Sequence, residues 1–188
     1  AKAMVVTSSR LHAVRYKQAF DRYIAGKGYT GIKTLVAFSG TVVDPDTEGV
    51  EYTEPGMNVD AQGRRISEKE LPERFATDEY QVLLVAEKYQ TGFDQPLLHT
   101  MYVDRRLAGI QAVQTLSRLN RTATGKDDTF VLDFVNEPSE ILAAFQPYYE
   151  QTLVGERADP RQLYELQAKL DAQQVYHQAE VEEFCRVF

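Results

Sequence analysis

Gln114, Arg118 and Arg121 are spaced four and three residues apart. On a helix those offsets bring all three side chains to one face. Two guanidiniums beside an amide suit a polyphosphate, because a guanidinium meets phosphate oxygens two at a time and keeps its charge at any working pH. They lie in Gln111–Arg121, QAVQTLSRLNR, whose Leu116 and Leu119 point elsewhere. Read by themselves, such arginines are more often solvated or salt-bridged surface charges than catalytic groups. Upstream, at the end of an apolar strand, stands Tyr89–Pro96, YQTGFDQP. Its Asp94 has two readings of its own, an N-cap or a partner of Arg118.

These residues need elements to hold them. Lys2–Ser8 reads as a buried strand, and Arg10–Ala25 as a helix with apolar Leu11, Val14, Ala19, Phe20 and Tyr23, stopped by Gly26 and Gly28. Ile32–Phe38 is a second strand, ended by Ser39–Gly40. Thr41–Arg65 is polar, with Pro45, Pro55 and several glycines, and reads as a loop or insertion. Ser67 and Glu70 form a capping-box pattern that opens a short helix, Glu68–Phe75. Gln81–Ala86, His99–Val103 and Thr129–Val135 are further strands. Gly109–Leu119 is the arginine-bearing helix, and Pro138 opens another. Leu163, Leu166 and Leu170 keep helical spacing in an acidic tail that extends towards Val175–Phe188.

Short apolar strands separated by helices predict an α/β domain with a mostly parallel sheet buried on both faces. Such folds place ligands beyond the C-terminal ends of their strands. Ser8–Arg10, Ser39–Gly40, Thr91–Asp94 and Arg105–Arg106 all fall there.

The chain has 188 residues, 43% hydrophobic and 11% aromatic, with a net charge of −7. Its length suits one domain with a helical extension. No apolar run is long enough to cross a bilayer, and no signal-peptide pattern is present. Single Cys185 fits a reducing, cytoplasmic setting and a packing role. The charge is uneven. Residues 1–35 carry a balance of +6 and residues 97–126 one of +4, whereas 44–80 carry −7 and 127–188 carry −9. If the two basic blocks meet, an acidic protein acquires a local positive face, and local field governs phosphate attraction. The other reading is two solvated helix faces.

Several chemistries are excluded. There is no GxxxxGK[ST] phosphate loop: Gly125–Lys126 is followed by Asp127 and precedes a strand. Asp78–Glu79 precedes its strand, whereas Mg²⁺-binding acids sit at strand ends. His12, His99 and His177 lack partners at metal-ligand spacing. No serine or cysteine sits in a nucleophile elbow. The chain thus carries phosphate-directed arginines without the loop that cradles phosphates, and a partner domain is the natural inference.

Gln81–Leu107, QVLLVAEKYQTGFDQPLLHTMYVDRRL, followed by Gln111–Thr122, QAVQTLSRLNRT, resembles motifs V and VI of superfamily 2 helicases and translocases. More narrowly, it is similar to the second RecA-like motor domain in the restriction subunit of type I restriction–modification systems. Lys2–Arg10, KAMVVTSSR, resembles that family's motif IV, and Lys33–Gly40, KTLVAFSG, the strand and turn that follow. Thr129–Asn136 continues the match. The resemblance implies a RecA-like, P-loop NTPase-type domain over residues 1–136 and a C-terminal helical extension over 137–188. It also implies an excised piece of an ATP-driven double-stranded DNA translocase, whose nuclease domain and first motor domain would precede it.

The resemblance further implies roles. Arg121 would be the arginine finger that reaches the γ-phosphate, with Arg118 assisting. Gln114, Gly92 and Asp94 would line the ATP cleft. Thr7, Ser8, Ser9, Arg10, Ser39, Gly40 and Thr91 would contact DNA phosphates; Ser8 and Ser9 also suit helix caps. Ser117 departs from the glycine common at that position, with altered helix packing as the expected result. ATP and Mg²⁺ would be held mainly by the first motor domain, so none is expected on this chain alone, and the isolated piece is expected to be inactive. Methyltransferase and specificity subunits would be partners, with no membrane. The competing readings are the C-terminal domain of another superfamily 2 helicase and a non-catalytic α/β interaction domain.

Overall fold

The computed structural model describes residues 1–47, 49–89, 93–153 and 186. The expectations for Leu163, Leu166, Leu170, His177 and Cys185 lie outside them. The chain divides into two compact units, Ala1–Phe145 and Gln146–Phe188.

The first unit is built on a parallel five-stranded sheet. Its strands are β1 (Lys2–Thr7), β2 (Thr34–Ala37), β5 (Val82–Val85), β6 (Leu98–Asp104) and β7 (Phe130–Asp133), in the order β2-β5-β1-β6-β7. The registers Val36 to Leu84 to Val5 to Tyr102 to Leu132 run straight across it. This is the mostly parallel, helix-flanked sheet that the sequence predicts. Alternation sorts the central strands into two cores. Met4, Val6, Leu35, Leu83, Val85 and Met101 face one side. Val5, Val36 and Leu84 face the other.

Helix α1 (Arg10–Lys27) covers the second face. It starts because the Ser9 side chain accepts from the His12 backbone N–H at 3.1 Å, and it ends on Gly28 in the left-handed region at φ 67°. Helices α3 (Leu71–Ala76) and α4 (Ile110–Leu116) put Leu71, Phe75 and Ala112 into the first core. Ile141 and Ala144, near the start of α5 (Pro138–Leu153), pack on the same core. The Ser67–Glu70 box is formed: Glu70 Oε2 accepts from the Ser67 backbone N–H at 3.0 Å and from its hydroxyl at 2.7 Å.

Two expectations need correction. Thr41–Arg65 is not an unstructured insertion. It holds β3 (Thr41–Asp44) paired antiparallel with β4 (Val50–Thr53), then α2 (Glu54–Met57). The strand signal was hidden by a buried acid. Asp44 takes the inward position next to Val42 because Arg15 of α1 bonds both its oxygens, at 3.1 and 2.7 Å. Asn58 closes the edge of β2, accepting from Val36 N–H at 2.9 Å and donating to Val36 C=O at 2.7 Å. The sheet is also not buried throughout. In the edge strand β7 Phe130, Val131 and Leu132 are all exposed. A groove of about 500 Å³ remains between α1 and this edge, lined by Tyr16, Phe20, Tyr102 and Phe134 among others. Among the described residues no helix is long and apolar enough to cross a membrane.

Candidate functional site

Ser8–Arg10 and Ser39–Gly40 lie beyond the C-terminal ends of β1 and β2, as parallel order requires, whereas Arg118 and Arg121 fall on the stretch between α4 and β7 and meet the chain that enters β6. At the β1–α1 junction Ser8 is exposed, with its hydroxyl hydrogen-bonded to His12 Nδ1. Ser9 is the helix cap. Arg10 is exposed and its Nη1 donates to Ser39 C=O at 2.9 Å, so the β1 and β2 ends are joined by a guanidinium. Gly40 adopts φ 74°, and a Cβ there would lie 3.3 Å from Arg10 Nη1. The positive φ is what favours glycine in this turn. Thr7 is different. It is fully buried, and its hydroxyl donates to Val85 C=O at 3.0 Å. That removes it from the expected set of phosphate contacts and makes it a tie between β1 and β5.

The arginine segment also departs from expectation. α4 stops at Leu116, and Ser117–Asn120 winds as a 3-10 turn. Ser117 contributes to this, because its hydroxyl donates back to Val113 C=O and competes with the helix ladder. Arg121 follows in extended conformation at φ −77°, ψ 132°. Gln114, Arg118 and Arg121 are therefore not on one helical face. Gln114 is exposed on α4, Arg118 sits on the turn, and Arg121 lies beyond it.

What brings the two arginines together is the segment before β6. Arg118 Nη1 donates to Phe93 C=O. Arg121 Nε meets Asp94 Oδ1 at 3.0 Å, with the side chains 58% and 68% exposed. Adjacent residues of the TGFD run thus hold adjacent arginines of the QTLSRLNR run. Burial, and then the positive charge of Arg121, draw the Arg118 pKa below its ordinary value. Thr91 and Gly92 of the same run lie outside the described residues.

Two further groups build the site and were missed from the sequence. Lys126 Nζ donates to the carbonyls of Leu119 at 2.7 Å, Arg121 at 2.6 Å and Pro96 at 3.2 Å. It closes the 3-10 turn over the chain entering β6, and burial lowers its pKa. Its placement in a failed phosphate-loop pattern concealed this. Asn136 accepts from Leu107 N–H at 2.8 Å and donates to Arg105 C=O at 2.8 Å, fixing the loop that leads to α4.

Part of the expected positive charge is already engaged within the fold. Lys2 Nζ is buried against the carbonyls of Thr77 and Tyr80, both at 2.6 Å. Arg15 pairs with Asp44 and Asp46, Lys17 with Asp21, and Lys33 with Glu79. Arg106 pairs with Glu140. Charge counted along the sequence therefore overstates the field at the strand ends. Among the described residues no group of three or more His, Cys, Asp or Glu side chains could hold a metal ion.

Residues 51–136 match the family model described as type I restriction enzyme subunit R domain 3. The chain belongs to the type I restriction enzyme R-subunit family. Among its relatives is the type I restriction enzyme HindI endonuclease subunit of Haemophilus influenzae, 33% identical over 85 residues, covering 44% of this chain and 8% of that protein. Another, from Methanocaldococcus jannaschii, is named as the type I restriction enzyme MjaVIIP endonuclease subunit. It is 32% identical over 139 residues, covering 71% of this chain and 13% of its own length. The chain thus spans about an eighth of the R-subunit relatives it matches, or less. The C-terminal domain of the DEAD-box protein Dbp5 is a structural neighbour, with a TM-score of 0.40 and 15% identity, covering 79% of this chain and 69% of that one. The R-subunit model covers β4 to Asn136, which includes both arginines and both residues that hold them.

Proposed function

We propose that this chain is the second lobe of the ATP-driven DNA motor of a type I restriction endonuclease R subunit, with residues 1–136 as the motor domain. The docking of Arg118 and Arg121 on Phe93 and Asp94 carries this reading. Phosphoryl transfer spreads negative charge over the γ-phosphate oxygens, and a guanidinium placed there lowers the barrier. Arg121 is suited to be that guanidinium. It is exposed, extended from its turn, and paired with an exposed carboxylate. Exposed pairs contribute roughly 0–1 kcal/mol, so exchanging Asp94 for a phosphate costs little. Arg118, partly buried on a carbonyl, keeps the turn in place. Gln114 lies on the preceding helix, where it can meet the same nucleotide.

Mg²⁺ and the phosphate-cradling loop would belong to the preceding motor domain. ATP bound between two lobes would draw Arg121 across the cleft, and hydrolysis would release it. Ser8, Ser9 and Arg10, with Ser39–Gly40, would hold one DNA strand by its backbone, a grip that is independent of sequence. Thr91 would join them. Methyltransferase and specificity subunits would be the partners of the complete enzyme, and cleavage would lie in another domain.

The test is DNA-stimulated ATPase activity of this chain, alone and mixed with the preceding phosphate-loop domain. Silence alone and turnover on mixing support the reading. Turnover by the chain alone contradicts it.

A further inference from the structure

One buried carboxylate stands where three distant segments of the chain converge. Glu54, the first residue of α2, is 1% exposed. Its Oε2 accepts from Phe38 N–H at 2.8 Å and from Lys88 Nζ at 2.8 Å. Its Oε1 is buried without a hydrogen-bond partner among the described residues. The charge therefore depends on what reaches Oε2. Burial pushes the Glu54 pKa up, and Lys88 and the Phe38 N–H pull it back. Lys88 also meets Glu68 Oε2 at 2.8 Å, through a carboxylate that is 54% exposed.

The two donors sit in telling places. Phe38 immediately precedes the Ser39–Gly40 turn. Lys88 lies just beyond β5, on the path into Phe93–Asp94, and the residues on either side of it are strained. Glu87 and Tyr89 have φ of 59° and 62°, in the left-handed region that side chains other than glycine rarely adopt. Such strain persists only where the surroundings over-determine the backbone. Here the ammonium is pinned to a buried acid, and the Tyr89 ring packs 4.7 Å from that of Phe93.

We propose that Glu54 and Lys88 form a positioning clamp that fixes the Ser39–Gly40 turn, through Phe38, against the end of β5 as one DNA-gripping unit. The β3–β4 insertion, which delivers Glu54, is on this view part of the grip. The proposal rests on the motor reading above and deepens it. Neither Glu54 nor Lys88 touches DNA; both act through the loops they hold.

The experiment uses the intact R subunit and reads two quantities: the concentration of a duplex giving half-maximal ATPase, and turnover at saturating duplex. Lys88→Met should raise the half-saturating concentration roughly tenfold, the size of effect a displaced positioning group produces, with turnover at saturation within about twofold of the parent. Glu54→Gln, which keeps shape and hydrogen-bonding atoms, should do the same more weakly. The double variant should be no worse than Lys88→Met, because both remove one interaction. Lys88→Arg should recover part of the loss, and Glu68→Gln should change nothing. Should Lys88→Met fail to fold, Glu54→Gln carries the test. An unchanged half-saturating concentration in a folded variant, or additive effects in the double, overturns the clamp. Arg121→Ala assayed alongside separates the two claims. If it stays active, the motor reading fails; if it is dead while Lys88→Met binds duplex normally, only the clamp fails.

Discussion

The β1–α1 junction and the turn after α4 both present cations, but they are built in opposite ways. The junction is rigid. Thr7 is tied to β5, Ser9 caps an 18-residue helix, and Arg10 is bonded to the neighbouring turn. The second region is a four-residue 3-10 turn with little ladder of its own, held by side chains that donate to carbonyls. A surface that only has to hold a backbone can be fixed in advance. A group that must reach a phosphate in one state and release it in the next needs weak, exchangeable partners. Arg121 on exposed Asp94 has such a partner, and Arg10 against a backbone carbonyl has another kind.

Variants of the two regions should therefore differ in kind. The largest effect short of removing Arg121 itself is expected for Arg118→Met in the intact subunit. Loss of its bond to Phe93 C=O should cut ATP turnover by roughly two to three orders of magnitude, with the half-saturating DNA concentration little changed. A rise in that concentration instead would blur the division between the regions. Next comes Lys126→Met. Three carbonyls lose a charged donor, and hydrogen bonds to charged groups contribute about 1.5–3 kcal/mol each. Denaturant melts of this chain should lose at least about 2 kcal/mol. No loss would mean that the 3-10 turn is held elsewhere.

On the other side, Arg10→Ala should leave turnover at saturating DNA intact. It should lower the slope of log affinity against log salt by about one unit. Ser9→Ala should cost about 1 kcal/mol of stability through the lost cap. The smallest effect concerns acid. Hydrogen bonding to Arg15 holds the Asp44 carboxyl below its ordinary value of 3.8. A group depressed in the folded state stabilises above its unfolded pKa and loses that contribution as pH falls through the folded one. Asp44→Asn should therefore flatten stability against pH below about 4, and an unaltered acid limb would show that the Arg15 pair does not contribute.

How much of this was legible in the sequence follows from the range of the interactions involved. β1, β2 and β5 were readable because their apolar runs are nearly continuous, and α1 because its cap and its terminal glycine are local signals. The meeting of Phe93 and Asp94 with Arg118 and Arg121 joins the chain entering β6 to the turn after α4, which parallel strand order alone does not give. The failures were long-range. Asp44 reads as a loop residue until Arg15 is placed opposite it. Thr7 reads as an exposed hydroxyl until β5 is laid beside it. The face shared by Gln114, Arg118 and Arg121 assumed an unbroken helix, and one serine hydroxyl bonding back to Val113 accompanies its early end. Glu54 and Lys88 carry no local signal, since a buried ion pair between residues 34 apart is visible only after folding.

The most direct test of the account is ATP turnover by the intact R subunit carrying Arg121→Ala, measured at saturating DNA together with nucleotide binding. Turnover should fall by about three to five orders of magnitude, with ATP still bound and the protein still folded, because the side chain is exposed and its partner Asp94 is exposed too. Turnover within a few-fold of the parent would contradict the finger assignment and leave Arg121 as a surface salt bridge.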